Sequence, residues 1–311
     1  MNITIGLISF FLSCFFLYFS RRYYLKRNIL DIINERSSHK ESATGNGGVA
    51  IYSSLFIISV YFYLQGIEVF DYSYLIPLSI LLVVGLYDDV YDVDFRLKFL
   101  FQIITAKILI DNGVIIDNFH GILGLYELNR IFAQIFSVFI IVAIINSINF
   151  IDGIDGLAVS VVSTFIILFE YFSLNETEFI TISFVLIGSF IPMLYFNFRS
   201  KNKIFLGDAG SLFLGGIVSI YVFKILSNDY LIKEQFDINK IIFVISILSY
   251  PILDITRVVF LRLYKGKSPF VADKNHIHHL LLNKLKSHKM TTFLIIILSV
   301  VFTVLVQIIF N

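Results

Sequence analysis

Blocks of apolar residues recur along this chain, and they limit its fold more than any other feature. They fall at roughly 3–19, 48–64, 74–87, 97–110, 131–148, 157–174, 179–197, 211–226, 240–260 and 291–310. As α-helix, about 20 residues cross the ~30 Å hydrocarbon layer of a bilayer. The blocks therefore read as ten transmembrane helices of an all-α polytopic membrane protein. Hydrophobic residues make up 57% of the 311 positions and charged residues 15%, a balance outside the range of soluble domains. The block at 74–87 is short, and the one at 97–110 carries Lys107 and is placed partly at the interface. The first block has no basic leader and no small-residue cleavage site, and Arg21-Arg22 follows it, so it reads as a retained span. Cys14 is the single cysteine, which excludes an internal disulfide. No repeat is visible, and residues 1–311 read as one domain.

The net charge of +1 conceals an asymmetry. Of the 24 Lys and Arg residues, 19 fall in the odd-to-even junctions between blocks and only Arg130, Lys233 and Lys240 in the opposite loops. By the positive-inside rule the first set faces the cytoplasm and both termini lie outside. The polar motifs follow the same partition. Asp88, Asp89, Asp92, Asn149, Asp152, Asp155, Asp208 and the histidines at 276, 278 and 279 all belong to the basic side.

Charge inside a bilayer is costly and is seldom kept there without a role. The segment Asn146-Ser147-Ile148-Asn149-Phe150-Ile151-Asp152-Gly153-Ile154-Asp155-Gly156-Leu157 places two carboxylates and two amides between two apolar blocks. A single Asn or Asp there would be explained as a helix cap; four polar groups with two glycines exceed that need. In Asp88-Asp89-Val90-Tyr91-Asp92, a continuing helix puts Asp88 and Asp92 on one face, where they repel unless a cation sits among them. Mg²⁺ takes oxygen ligands and commonly bridges one or two carboxylates to a substrate phosphate. Arg96 and Lys98 follow, suited to a second anion. Phe205-Leu206-Gly207-Asp208-Ala209-Gly210-Ser211 opens an apolar block, and such a helix N-terminus suits an anion. There Asp208 is either an N-cap or a metal ligand. Asn275-His276-Ile277-His278-His279 suggests zinc at first sight, but no Cys or Glu lies near at ligand spacing, and eight Lys or Arg crowd the region. Diphosphate binding fits that setting better. Carboxylates, anion-binding helix ends and a basic loop on one membrane face suit phosphoryl transfer, with a lipid as one substrate.

Those motifs, with Asp31-Ile32-Ile33-Asn34-Glu35-Arg36-Ser37-Ser38-His39, resemble the polyprenyl-phosphate N-acetylhexosamine-1-phosphate transferases over nearly the whole length. The His-Ile-His-His form points to the N-acetylhexosamine branch. The resemblance implies transfer of a HexNAc-1-phosphate from a UDP-N-acetylhexosamine to undecaprenyl phosphate, with Mg²⁺, or Mn²⁺ in its place. The product starts a lipid-linked glycan at the bacterial cytoplasmic (inner) membrane. It also implies a homodimer and no nucleic-acid partner. By motif match Asp208 is the principal metal ligand, and Asp88 and Asp89 serve the metal or activate the lipid phosphate. Gly153, Ile154, Asp155 and Phe205 line the uridine pocket, Asn149, Asp152 and Asn197 order it, and His276, His278 and His279 hold the diphosphate or sugar. Asp88, Asp89, Asp152 and Asp155 are the catalytic candidates. Direct attack by the lipid and a covalent aspartyl intermediate both stay open.

Two positions depart from the pattern. Ile33 stands where the family usually has Pro, and Asn46-Gly47-Gly48 stands for a loop that often reads Arg-Gly-Gly-Gly. The absent arginine changes sugar preference or removes a phosphate contact, for which Lys40 is the candidate substitute. Two other classes compete: an intramembrane prenyltransferase with aspartate-rich motifs, and a transporter. The first would show two D-x-x-x-D-like motifs, whereas the second acidic motif here is Asp152-Gly153-Ile154-Asp155. The second would place its charges near the midplane of repeated halves. If the charge partition holds, cysteines placed at positions 92 and 201 react with an impermeant thiol reagent from the same side of the membrane. Labelling from opposite sides would refute the topology.

Overall fold

The computed structural model describes residues 1–30, 43–119, 124, 126–227, 229–232, 238–266, 268 and 275–310. The motif at 31–39 and the candidate Lys40 lie outside them. The described residues form twelve α-helices: α1 (Asn2–Lys26), α2 (Gly47–Leu64), α3 (Leu75–Tyr91), α4 (Phe95–Asp111), α5 (Arg130–Ile151), α6 (Leu157–Phe172), α7 (Ile180–Asn197), α8 (Gly207–Leu226), α9 (Ile238–Ile247), α10 (Ser249–Tyr264), α11 (Ile277–Leu285) and α12 (His288–Phe310). A 3₁₀ turn, Tyr72–Tyr74, precedes α3. Among the described residues there is no β-strand, only isolated bridges such as Thr44 with Ile204.

Among the described residues seven helices are long and apolar enough to cross a membrane: α1, α2, α3 with its 3₁₀ turn, α5, α7, α8 and α12. The protein is an integral, multi-pass membrane protein. The ten expected spans are not all full-length. The block at 97–110 becomes α4, whose Arg96, Lys98, Lys107 and Asp111 keep it out of the apolar set. The block at 157–174 becomes α6, apolar but only 16 residues long. The block at 240–260 becomes two helices meeting at 72°. Pro251 explains that break. It sits in the first turn of α10 and has no N–H to give to the carbonyl of Ile247, where α9 stops.

The centre of the bundle is α8. In its most apolar stretch 89% of residues are buried inside the protein, against 17% for α12. Helices α2, α3, α5, α6 and α9 surround it. The start of α8 is tied to the start of α2 by backbone hydrogen bonds. Phe205 N–H donates to Thr44 O (2.9 Å), Gly47 N–H to Phe205 O (3.0 Å) and Gly48 N–H to Leu206 O (2.9 Å). Here the two helices approach so closely that a Cβ on Gly48 would lie 2.2 Å from the Gly210 Cα. Small residues also join α1 to α7. Ser9 Oγ donates to Val185 O (2.6 Å) and Ser13 Oγ to Ser189 O (3.0 Å). Without a hydrophobic force between helices in lipid, close packing and such hydrogen bonds hold them together.

In the loop that departs from the related pattern, Asn46 has a structural role. Asn46 is fully buried, and its Nδ2 donates to Ser20 Oγ at 2.8 Å, tying α2 to α1. An arginine there would carry its charge into that contact.

Gly48→Val overpacks the α2–α8 contact and is expected to cost about 1–3 kcal/mol, read as a lowered melting temperature in detergent. An unchanged melting temperature would contradict the close approach.

Candidate active site

Helix ends create the site. The C-terminal ends of α3 and α5 meet the N-terminal ends of α4 and α8; α3 supplies Asp88 and Asp89, α5 Asn149, α4 Lys98 and α8 Asp208. Gly207 begins α8 with φ +77, a left-handed conformation that costs a glycine little. A Cβ there would stand 2.7 Å from Asp89 Oδ2, so the glycine also admits the carboxylate. Asp89 fills the space. Its Oδ1 accepts from Asp208 N–H (2.7 Å) and its Oδ2 from Ala209 N–H (3.1 Å). Both oxygens of this aspartate therefore cap α8, satisfying two of the donors that every helix start leaves orphaned and meeting the positive end of its dipole.

Capped in this way, Asp208 is held in place. Its Oδ1 accepts from Asn149 Nδ2 (2.9 Å), and the same amide donates to Ser211 Oγ (2.8 Å). Its Oδ2 lies 3.3 Å from Lys98 Nζ, and Asp88 Oδ2 lies 2.6 Å from the same ammonium. Asp88 Oδ1 also accepts from Val93 N–H at 2.8 Å, closing the turn after α3. Asp88, Asp89, Asn149 and Asp208 are thus brought together, as the motifs imply. Lys98, read from the sequence only as a possible anion partner, is the cation that two of them share. Three carboxylates face one ammonium and one helix end. Their donors are hard oxygens, the set that Mg²⁺ selects, and a lysine already occupies a cation position between two of them.

The turn after α5 divides its residues. Asp152 caps α5, its N–H donating to Asn149 O at 3.2 Å. Asp155 faces another cluster: its Oδ2 pairs with Lys203 Nζ at 2.6 Å, its N–H donates to His288 Nδ1 at 3.2 Å, and its carbonyl accepts from Thr292 Oγ1 at 2.9 Å. Lys203 Nζ in turn lies 5.3 Å from the centre of the Phe205 ring, within cation–π range. Asn197, 4% exposed, accepts from Gly156 N–H and donates to Ile204 O (2.7 Å), clamping the turn to the strand-like segment before α8. Ile154 is buried beneath it. Sequence reading missed Lys203 and His288. Lys203 had one usable signal, its place two residues before Phe205; His288 had none.

The histidine segment packs on the same turn. A Cβ on Gly153 would lie 2.5 Å from His278 Nε2 and 3.2 Å from His279 Nε2. Burial pushes the His278 imidazole down to about 3, with the neighbouring His279 adding to the effect, so His278 is neutral at physiological pH. The His276 ring lies tilted against Phe150, ring centres 5.9 Å apart.

Fold and site define an integral membrane enzyme with an acidic, cation-seeking centre at one end of a helical bundle. Comparison with known proteins places it among transferases. The profile of Glycosyl transferase family 4 matches residues 72–226, which hold Asp88, Asp89, Asn149, Asp155 and Asp208. An undecaprenyl-phosphate alpha-N-acetylglucosaminyl 1-phosphate transferase of Pasteurella multocida is 36% identical over 292 residues, 89% of this chain and 78% of the relative. One of the same description from Haemophilus influenzae is 32% identical over 268 residues, 81% of this chain and 71% of the relative. A probable undecaprenyl-phosphate N-acetylglucosaminyl 1-phosphate transferase of Bacillus subtilis is 31% identical over 229 residues, 72% of this chain and 62% of the relative. The chain belongs to glycosyl transferase family 4, and it is a glycosyl-1-phosphate transferase.

Asp208→Asn and Asp89→Asn are each expected to lower transferase turnover by about 10²-fold or more, on the scale of losing one charge-stabilising group, while the protein still inserts and is purified at the wild-type level. Full turnover in both variants would remove the acidic centre from the chemistry.

Proposed function

We propose that the protein transfers an N-acetylhexosamine-1-phosphate from a UDP-sugar to undecaprenyl phosphate on the cytoplasmic side of a bacterial inner membrane. A phosphate oxygen of the lipid attacks the sugar-bearing phosphorus. The bond to the second phosphate breaks, UMP leaves, and undecaprenyl-diphosphate-sugar remains to start a lipid-linked glycan. The observation that carries this reading is the convergence of Asp88 and Asp208 on one cation beside the start of α8. Two anionic substrates repel each other, and phosphoryl transfer depends on positioning and charge neutralisation. The names of the relatives supply the acceptor and the N-acetylated sugar.

Asp208 and Asp88 would hold Mg²⁺ or Mn²⁺, which when bound would neutralise the diphosphate and its leaving group. The remaining roles belong to the protein's own side chains. Asp89 holds Asp208 by capping α8, and Asn149 orients it. Lys98 supplies positive charge where the lipid phosphate meets the carboxylates. Phe205, beside Lys203, offers its ring to uracil, and the turn at Gly153 and Ile154 forms the floor of that pocket. Asp155 keeps Lys203 in place. The histidine segment closes the pocket over the diphosphate or sugar.

Membranes containing the protein are expected to release UMP from one or more of the UDP-N-acetylhexosamines, and only when undecaprenyl phosphate and Mg²⁺ are both supplied. A panel across the UDP-sugars identifies the donor. UMP release without the lipid, or consumption of a prenyl diphosphate without any nucleotide, would overturn the reading.

A further inference from the structure

Two rings of the histidine segment, His276 and His278, do different work, and their hydrogen bonds separate the roles. His276 has both nitrogens engaged. Its Nδ1 lies 2.6 Å from Asp254 Oδ2 and its Nε2 lies 3.4 Å from Arg262 Nη2. A guanidinium only donates, so Nε2 accepts and Nδ1 carries the proton to Asp254. The other oxygen of Asp254 accepts from Ile277 N–H at 2.6 Å. Asp254, His276 and His278 do offer ligand-type atoms within 4.8 Å of one another. Yet the oxygens of Asp254 and the nitrogens of His276 are already committed, so the trio is a hydrogen-bonded strut between α10 and the start of α11, not a metal seat.

His278 differs. It is fully buried, its Nδ1 lies 3.0 Å from the Tyr250 hydroxyl, and its Nε2 has no partner among the described residues. That Nε2 is the atom against Gly153. The tautomer follows from the hydrogen-bond inventory. The Tyr250 side chain is buried, and its hydroxyl bonds to His278 and to no other described residue. If the imidazole donated to it, the phenolic hydrogen and the His278 Nε2 lone pair would both be orphaned. If the phenol donates to Nδ1, one group is left over, the Nε2–H. Buried polar groups are satisfied wherever the chain permits, so the second arrangement is favoured. It leaves a donor, on a ring that burial keeps neutral, directed at the turn that forms the floor of the nucleotide pocket.

We propose that Tyr250 is a positioning residue: it holds His278 in the tautomer whose Nε2–H donates to a phosphate oxygen of the nucleotide-sugar at the Gly153 turn, while Asp254 and Arg262 hold His276 as a structural strut. The proposal rests on the UDP-sugar reading above. It names which of the three histidines meets the ligand and what orients it. Tyr250 stands in the first turn of α10, next to the Pro251 that makes the bend after α9. The bend is therefore also what delivers the phenol to the histidine.

The test uses the full chain, purified in detergent, as wild type, Tyr250→Phe, His278→Ala and the double variant. The dissociation constant for UDP with Mg²⁺ present is read by calorimetry, and KM is read for the UDP-sugar that supports UMP release. Loss of one hydrogen bond to a charged oxygen weakens UDP binding by about tenfold or more. Tyr250→Phe is expected to do this and to raise the KM for the UDP-sugar in parallel, with the KM for undecaprenyl phosphate unchanged. The double variant should be no worse than His278→Ala alone, because Tyr250 acts through that ring. A purely structural role would lower the active fraction and leave KM and the dissociation constant where they were. Unchanged UDP affinity in Tyr250→Phe, or additive losses in the double variant, would overturn the proposal. A second measurement assigns the ring directly: the histidine ¹⁵N signals present in the wild type and lost in His278→Ala should belong to a neutral ring protonated at Nε2 and accepting at Nδ1, and lost signals from a ring protonated at Nδ1 would also overturn the proposal. A wild type that binds no UDP and releases no UMP would end the transferase reading itself. A working wild type beside an unaffected Tyr250→Phe ends only the positioning role.

Discussion

Carboxylates from two distant helices share one ammonium at the end of the bundle, and the remaining architecture serves that contact. Asp88 from α3 and Asp208 from α8 would repel each other at this separation. Lys98 from α4 lies between them, and Asn149 from α5 donates to the far side of Asp208. Asp89 would add a third negative charge to the group. Instead it spends its oxygens on the first amides of α8. The dipole of a long, deeply buried helix thus neutralises the residue that fixes the position of the next one.

Such a centre requires that four helix ends stay in register, and the packing explains how they do. The segment before α2 runs alongside the segment before α8 and exchanges backbone hydrogen bonds with it. Glycines at 48 and 210 let the two helices touch backbone to backbone. The Asp155, Lys203, His288 and Thr292 group ties α12 to the same turn. A helix that otherwise faces lipid along most of its length is thereby anchored at the functional end. The bend between α9 and α10 performs a similar task on the other side, where Tyr250 and Asp254 reach the histidine segment.

Much of the site was legible from residue types alone. The acidic pair at 88–89, the turn at 149–156, the start of α8 and the histidines were all picked out, because clustered charge and glycine next to apolar blocks has few structural uses. Their division of labour was not legible. Asp89 and Asp208 look alike in the chain, yet one caps a helix and the other faces Lys98. Lys98 looked like an anion partner and proved to be the bridge between carboxylates. Asn46, in the loop where the related pattern often has an arginine, turned out to be a buried link to α1.

The chain by itself determined the class of molecule, since apolar blocks of bilayer length have no other stable solution in water or lipid, and it determined which residue types would gather at the site. Only the tertiary structure decided which aspartate meets which cation and which histidine nitrogen is left to donate. Those choices depend on contacts between residues on different helices, from Lys98 with Asp88 and Tyr250 with His278 to Asp208 with Asp89. Local sequence carries no term for them, because a hydrogen bond or ion pair is set by where packing places the two partners.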